Sequence, residues 1–189
     1  MVDAAGGGVA PAVRPRCGGY AVGMTSEQTT GRDYAAVAAR VDARGTREER
    51  MQRVVDALWD ELGKKNVSWL GFYLKNPAGD DMVLAARRDK PACSPIGLHG
   101  ACGRAWKSRR PLVVSDVEKL GAGYVACDPR DRSEVVIPMM EADGATCWGV
   151  FDADSHETGA FGEADVVGLM RVFFAAGLTG TGLGSIEFV

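Results

Sequence analysis

The sequence predicts a single α+β domain, a central antiparallel sheet with helices packed mainly on one face. Three observations carry this. Apolar residues recur at helical spacing at both ends of the patterned region, and a strand-like pattern lies between them. A hairpin pattern, two apolar runs around a turn, occurs twice, at 67–86 and at 133–154. The 189 residues are 46% hydrophobic and 25% charged, which suits one domain with a sizeable core and leaves too little chain for two.

Residues 1–31 mix Gly, Ala, Pro and Thr without periodicity and read as a flexible N-terminal extension, with Met24 as an alternative start that would exclude Cys17. The domain is expected over 32–178, with a C-terminal tail at 179–189. From Asp33, the residues Tyr34, Val37, Ala38 and Val41 follow helical spacing until Gly45 interrupts. Thr46 and Glu49 then form a capping-box pattern ahead of the stripe Met51, Val54, Val55, Leu58 and Leu62, and the helix ends near Gly63.

Val67–Leu74 reads as a strand with Val67, Trp69, Gly71 and Tyr73 on one face. A turn at Asn76–Asp81 leads into a second strand near Met82–Ala86. Residues 87–111 are loop-rich, with a short helix from about Cys102 to Ser108, and Leu112–Val114 is a short strand. Ser133–Met140 and Cys147–Asp154 pair around Asp143-Gly144. Glu163–Ala176 closes the domain as a helix with acids in its first turn, where the dipole favours them.

The 22 basic and 25 acidic side chains leave a formal charge of −3, no footprint for nucleic acid or an anionic membrane. No apolar run approaches the ~20 residues of a membrane span, and no compact secretory stretch is present. A cytoplasmic, thiol-reducing setting is expected. There the odd number of five cysteines points to redox chemistry or metal rather than to structural disulfides.

Cys93, Cys102 and Cys127 fall in loop-like sequence beside Pro, Gly or Asp, whereas Cys147 sits in an apolar run and reads as core. Cys102 opens a predicted helix, whose free amides favour a thiolate, while Asp128 beside Cys127 does not. A Cys₃His zinc set of Cys93, His99, Cys102 and Cys127 is an alternative use of the same atoms, without a Cys-x-x-Cys knuckle to support it. Asp152 and Asp154 are two apart at a strand end and share a side of the sheet with Trp148 and Val150. Glu134 on the partner strand can face them, so three acids converge on a cationic group or a proton-transfer task. Trp69 and Tyr73 form either an aromatic wall or core.

These segments resemble the free methionine-(R)-sulfoxide reductases of the GAF-domain family. The matching stretches are SWLGFYL, KPAC followed by ACG, VACD, RSEVVIP and WGVFDADS, within Val67–Ala176. The resemblance implies a GAF domain with an enclosed pocket on the sheet face away from most helices. It implies reduction of free L-methionine (R)-S-oxide, with no cofactor and with thioredoxin as external reductant. Cys127 takes the place of the sulfenic-acid-forming nucleophile, Cys93 of its resolving partner, and Cys102 of a third thiol. Trp69 would pack on the substrate's methyl group beside Tyr73. Glu134, Asp152 and Asp154 would hold its ammonium group and polarise the sulfoxide. The nucleophile stays open between Cys127 and Cys102, because the helix-terminus argument favours the latter. A homodimer is also an expectation from the family. The chain departs from the family pattern at Ala85–Asp89 and at His99, in the loop that should cover the pocket. A non-catalytic GAF sensor that binds a small molecule is the rival reading.

Overall fold

The computed structural model describes residues 31–124 and 127–189, so Cys17 and the other residues before Gly31 lie outside the described residues. The elements are α1 (Tyr34–Ala39), α2 (Arg47–Leu62), β1 (Trp69–Lys75), β2 (Asp81–Arg88), β3 (Ile96–Gly97), α3 (Ala101–Ser108), β4 (Leu112–Val114), β5 (Ser133–Met140), β6 (Cys147–Ser155), α4 (Glu163–Ala175) and β7 (Glu187–Phe188), with a 3₁₀ segment over Val117–Gly123. The helix starts follow local chemistry. Asp33 accepts from the Ala36 amide at α1, and Thr46 and Glu49 form the expected reciprocal box at α2.

One seven-stranded sheet runs β3-β2-β1-β6-β5-β4-β7. Its neighbours are antiparallel except β4 and β7, which are parallel. The central sheet is antiparallel as expected, and one short parallel strand extends it at this edge. β4 would otherwise present bare backbone groups, and the chain after α4 returns to cover them. The Glu187 amide donates to Pro111 O (2.8 Å), the Val189 amide to Val113 O (2.9 Å) and the Ser115 amide to Val189 O (2.8 Å).

α1, α2 and α4 pack on one sheet face, over Leu70, Phe72, Ile137, Phe151 and Ala153. Phe72, Phe151 and Phe173 form its aromatic centre, with ring centroids 4.9–5.9 Å apart, the range edge-on and tilted pairs prefer. The starts of α1 and α4 are tied by a buried ion pair, Arg32 Nη1 to Asp165 Oδ1 at 2.8 Å. Asp165 also accepts from Tyr34 Oη (2.7 Å) and from the Gly162 amide (2.9 Å). α3 and the 3₁₀ segment lie on the opposite face, where a second apolar cluster gathers Trp69, Tyr73, Ala105, Val117, Val136 and Val150.

Two side chains depart from strict alternation. The register steps from Met139↔Gly149 to Met140↔Cys147, so Trp148 is the extra residue of a bulge. It turns to the helix side, stacking near Phe72 at 6.3 Å and under Arg47 at 4.5 Å, rather than sharing a face with Val150. Val67 precedes β1 and packs in the helix-side core. Cys147, read as core, is only partly buried and donates its thiol to Gly149 O at 3.2 Å.

Candidate active site

The strand registers build the site. Across β1 and β6, Trp69 pairs with Asp154 and Gly71 with Asp152. Across β5 and β6, Glu134 pairs with Asp154 and Val136 with Asp152. The period of two therefore puts Trp69, Asp154 and Glu134 in one row across the sheet, with Asp152 one step along. Carboxylate oxygens of Glu134, Asp152 and Asp154 all lie within 4.8 Å of one another.

Over this row lies a cavity of about 290 Å³, at the small end of the ~300–1,000 Å³ typical of ligand pockets. Its walls include Trp69, Tyr73, Cys93, Cys102, Cys127 and the three acids, so all eight residues singled out in the sequence meet there. Gly71 makes room for the Trp69 indole, because a Cβ at 71 would stand 2.6 Å from the ring. α3 can lie over the cavity because Gly103 packs directly on Leu98, where a Cβ would meet backbone at 2.3 Å.

The aromatic wall also holds the cysteine loop. Trp69 Nε1 donates to Lys90 O and Tyr73 Oη to Cys93 O, both at 3.0 Å. The two rings sit 6.0 Å apart. Tyr73 is thus both core and wall, and burial followed by the charge of Asp152 keeps its phenol fully protonated.

The acids are the electrostatic anomaly. Glu134 is 4% exposed, Asp152 7% and Asp154 9%, and no Lys or Arg is among the described residues that line the cavity. Glu134 Oε1 and Asp152 Oδ1 have no hydrogen-bond partner among the described residues. Burial, then the charge of Asp154, pushes Glu134 well up. Burial and Glu134 do the same for Asp152, and burial and Asp152 for Asp154. Carboxylates so placed hold protons at neutral pH or call for a cation.

Cys102 overturns the helix-terminus argument. Although near the start of α3, it is buried, and its Sγ donates to Asp152 Oδ2 at 3.4 Å. Burial first, then Asp152 and Glu134, raises its pKa well above a free thiol's, so it is a protonated donor. Cys93 and Cys127 are exposed and line the same cavity at its rim, near enough for Cys93 to bear on the Cys127 thiol. Desolvation, then the contact with the Cys93 side chain, pushes the Cys127 thiol up to about 12, against a lowering hydrogen bond from the Cys93 backbone. The four proposed zinc ligands line one cavity, yet among the described residues no three of them converge at metal-binding distance.

Sequence reasoning missed three members of the site. Asp131 is 5% exposed, lines the cavity and accepts from Ser68 Oγ at 3.2 Å. Tyr124 lines it too, its phenol held protonated by burial and then by Glu134. Lys90 pairs with Asp128 beside Cys127. The first two sit in loop sequence without a periodic signal, and Lys90 was legible only as part of KPAC.

The GAF domain family matches residues 45–177. Among curated relatives, the GAF domain-containing protein A of Dictyostelium discoideum is 38% identical over 101 residues, 53% of this chain and 61% of that protein. The free methionine-R-sulfoxide reductase of Saccharomyces cerevisiae is 33% identical over 102 residues, 53% of this chain and 56% of the relative. The matches thus span less than two thirds of these relatives. Among solved structures, the free methionine-R-sulfoxide reductase of Neisseria meningitidis in complex with its substrate superposes with a TM-score of 0.68. It is 26% identical, over 83% of this chain and 93% of the other. No helix among the described residues is long and apolar enough to cross a membrane. By fold and by sequence, the chain belongs to the GAF-domain family and is related to its free methionine-R-sulfoxide reductases.

Proposed function

We propose that the protein reduces free L-methionine (R)-S-oxide. The observation that carries this is the placement of three buried acids, without a Lys or Arg among the described lining residues, in the cavity whose rim holds Cys93 and Cys127. A free ammonium group supplies the missing cation, and a peptide nitrogen carries no such charge. The small cavity leaves room for an amino acid and excludes a chain.

Cys127 attacks the sulfoxide sulfur, assisted by loss of its thiol proton as the ammonium group offsets the acids' charge. A protonated acid, Asp152 or Glu134, donates a proton to the sulfoxide oxygen. The oxygen passes to Cys127 as a sulfenic acid, and methionine leaves reduced by two electrons. The Cys93 thiol then condenses with the sulfenic acid, forming the Cys93–Cys127 disulfide and water. An external dithiol, thioredoxin, restores both thiols by exchange. Trp69 faces the methyl group, and Cys102 supports Asp152 by donating to it.

A thioredoxin-coupled assay on resolved free R- and S-sulfoxides, with a peptide-bound R-sulfoxide alongside, tests the reading. Turnover is expected for the free R form alone, and Cys127→Ser abolishes it. Folded, fully reduced protein that turns over none of the three would make the domain a small-molecule sensor, in which Cys127→Ser leaves ligand binding intact.

A further inference from the structure

Lys90 stands three residues before Cys93, and Asp128 directly follows Cys127. Their side chains meet in an ion pair between the two cysteine-bearing loops. Lys90 is about a third exposed and Asp128 14% exposed, so salt screens the pair in part. The Lys90 backbone is anchored as well, its carbonyl accepting from Trp69 Nε1, and Tyr73 Oη fixes the Cys93 carbonyl. These two hydrogen bonds hold the Cys93 loop to β1, but neither reaches the Cys127 loop.

We propose that Lys90 is a positioning residue, whose ion pair with Asp128 latches the two loops and holds Cys93 against Cys127 for disulfide closure. This rests on the reductase reading for its purpose but not for its geometry. The other partners of Asp128 set the latch apart from ordinary surface pairing. Arg130 Nη2 lies 2.7 Å from Asp128 Oδ2, on the same loop two residues away, and His156 Nε2 lies 3.7 Å away. Removing Lys90 therefore leaves Asp128 paired with Arg130 and near His156, and what is lost is the ionic link to the Cys93 loop. Removing Arg130 does the reverse.

The test is the effective concentration of the Cys93–Cys127 pair, measured on the full chain with Cys17, Cys102 and Cys147 changed to Ser, in glutathione redox buffers. There two thiols and one oxidised glutathione give the intramolecular disulfide and two reduced glutathiones. No sulfoxide is needed, so a failed reductase reading and a failed latch are told apart. Lys90→Met is expected to lower the effective concentration about fivefold, the size of a single partly exposed ion pair. Lys90→Arg restores most of it, and Arg130→Ala leaves it within about twofold. Raising salt to 1 M lowers the parent value and not that of Lys90→Met. In sulfoxide turnover, Lys90→Met accumulates trapped sulfenic acid on Cys127, which a general loss of stability would not produce. An unchanged effective concentration in Lys90→Met, or no rescue by Lys90→Arg, overturns the latch.

Discussion

Cys102 Sγ and Asp152 Oδ2 lie 3.4 Å apart, both buried, with the thiol as donor. This contact separates Cys102 from the exposed pair Cys93 and Cys127. In reduced, folded protein at pH 8, iodoacetamide is therefore expected to alkylate Cys93 and Cys127 well before Cys102, read by peptide mass spectrometry. Cys102→Ser keeps a donor and is expected to stay near parent stability. Cys102→Ala leaves Asp152 without a partner on either oxygen and is expected to cost about 1–3 kcal/mol in urea unfolding. Early alkylation of Cys102 would contradict its burial.

The acid cluster should make the stability of the substrate-free protein fall as pH rises. Glu134, Asp152 and Asp154 have raised pKa values in the folded state, through burial and mutual repulsion. Above about pH 5 the folded chain thus binds more protons than the unfolded one, and stability has a negative slope with pH. Their contribution is complete below the ordinary carboxylate range and is lost as pH passes through the raised values. Melting temperature between pH 5.5 and 8.5 is expected to decline, less steeply in Glu134→Gln. The same variant should bind substrate about tenfold or more weakly, because a charge-assisted partner is gone. A Glu134→Gln protein with the parent's pH slope would remove the acid cluster as its cause.

Much of this arrangement was legible because it follows periods. The two-residue spacing of Asp152 and Asp154 fixes their shared face, and the Thr46–Glu49 box fixes the start of α2. Position 148 was not legible, since one bulged residue shifts the phase and no local residue announces it. β3 and β7, two residues each, lie below any periodic signal and exist because neighbouring strands offer them bonds. The thiol chemistry of Cys102 misled for a related reason. A helix start is visible in sequence, whereas the acids that face it come from strands about 30–50 residues further along.

Tyr73 couples the pocket wall to the cysteine loop through one hydrogen bond, Oη to Cys93 O. Tyr73→Phe keeps the ring and removes the bond. Stability is expected to drop by about 1 kcal/mol, and disulfide closure after single-turnover oxidation should slow, seen by quenched-flow trapping of the sulfenic acid. Oxygen transfer itself should change little, because the Cys127 loop is not held by this bond. If the first step slowed and closure did not, Tyr73 would instead act on the substrate.

Asp165 offers a test on the far side of the sheet. It is fully buried and serves Arg32, Tyr34 and the Gly162 amide together. Arg32 is 3% exposed at its side chain, so Asp165→Asn strands a buried guanidinium charge and turns an amide donor towards a group that needs an acceptor. The loss is limited by the Ala160 and Lys65 carbonyls, which accept from Arg32 at 2.9 and 2.8 Å, and by the Phe161 ring 5.0 Å away. A cost of ~3 kcal/mol in urea unfolding is expected, at the lower end for a broken buried pair. The acid cluster and Cys93, Cys102 and Cys127 line the cavity on the opposite face, so kcat/KM per folded molecule should stay within about twofold. A large drop in kcat/KM with little change in stability would show that the two faces of the sheet are coupled, and the cavity would then have to be understood together with the helix layer.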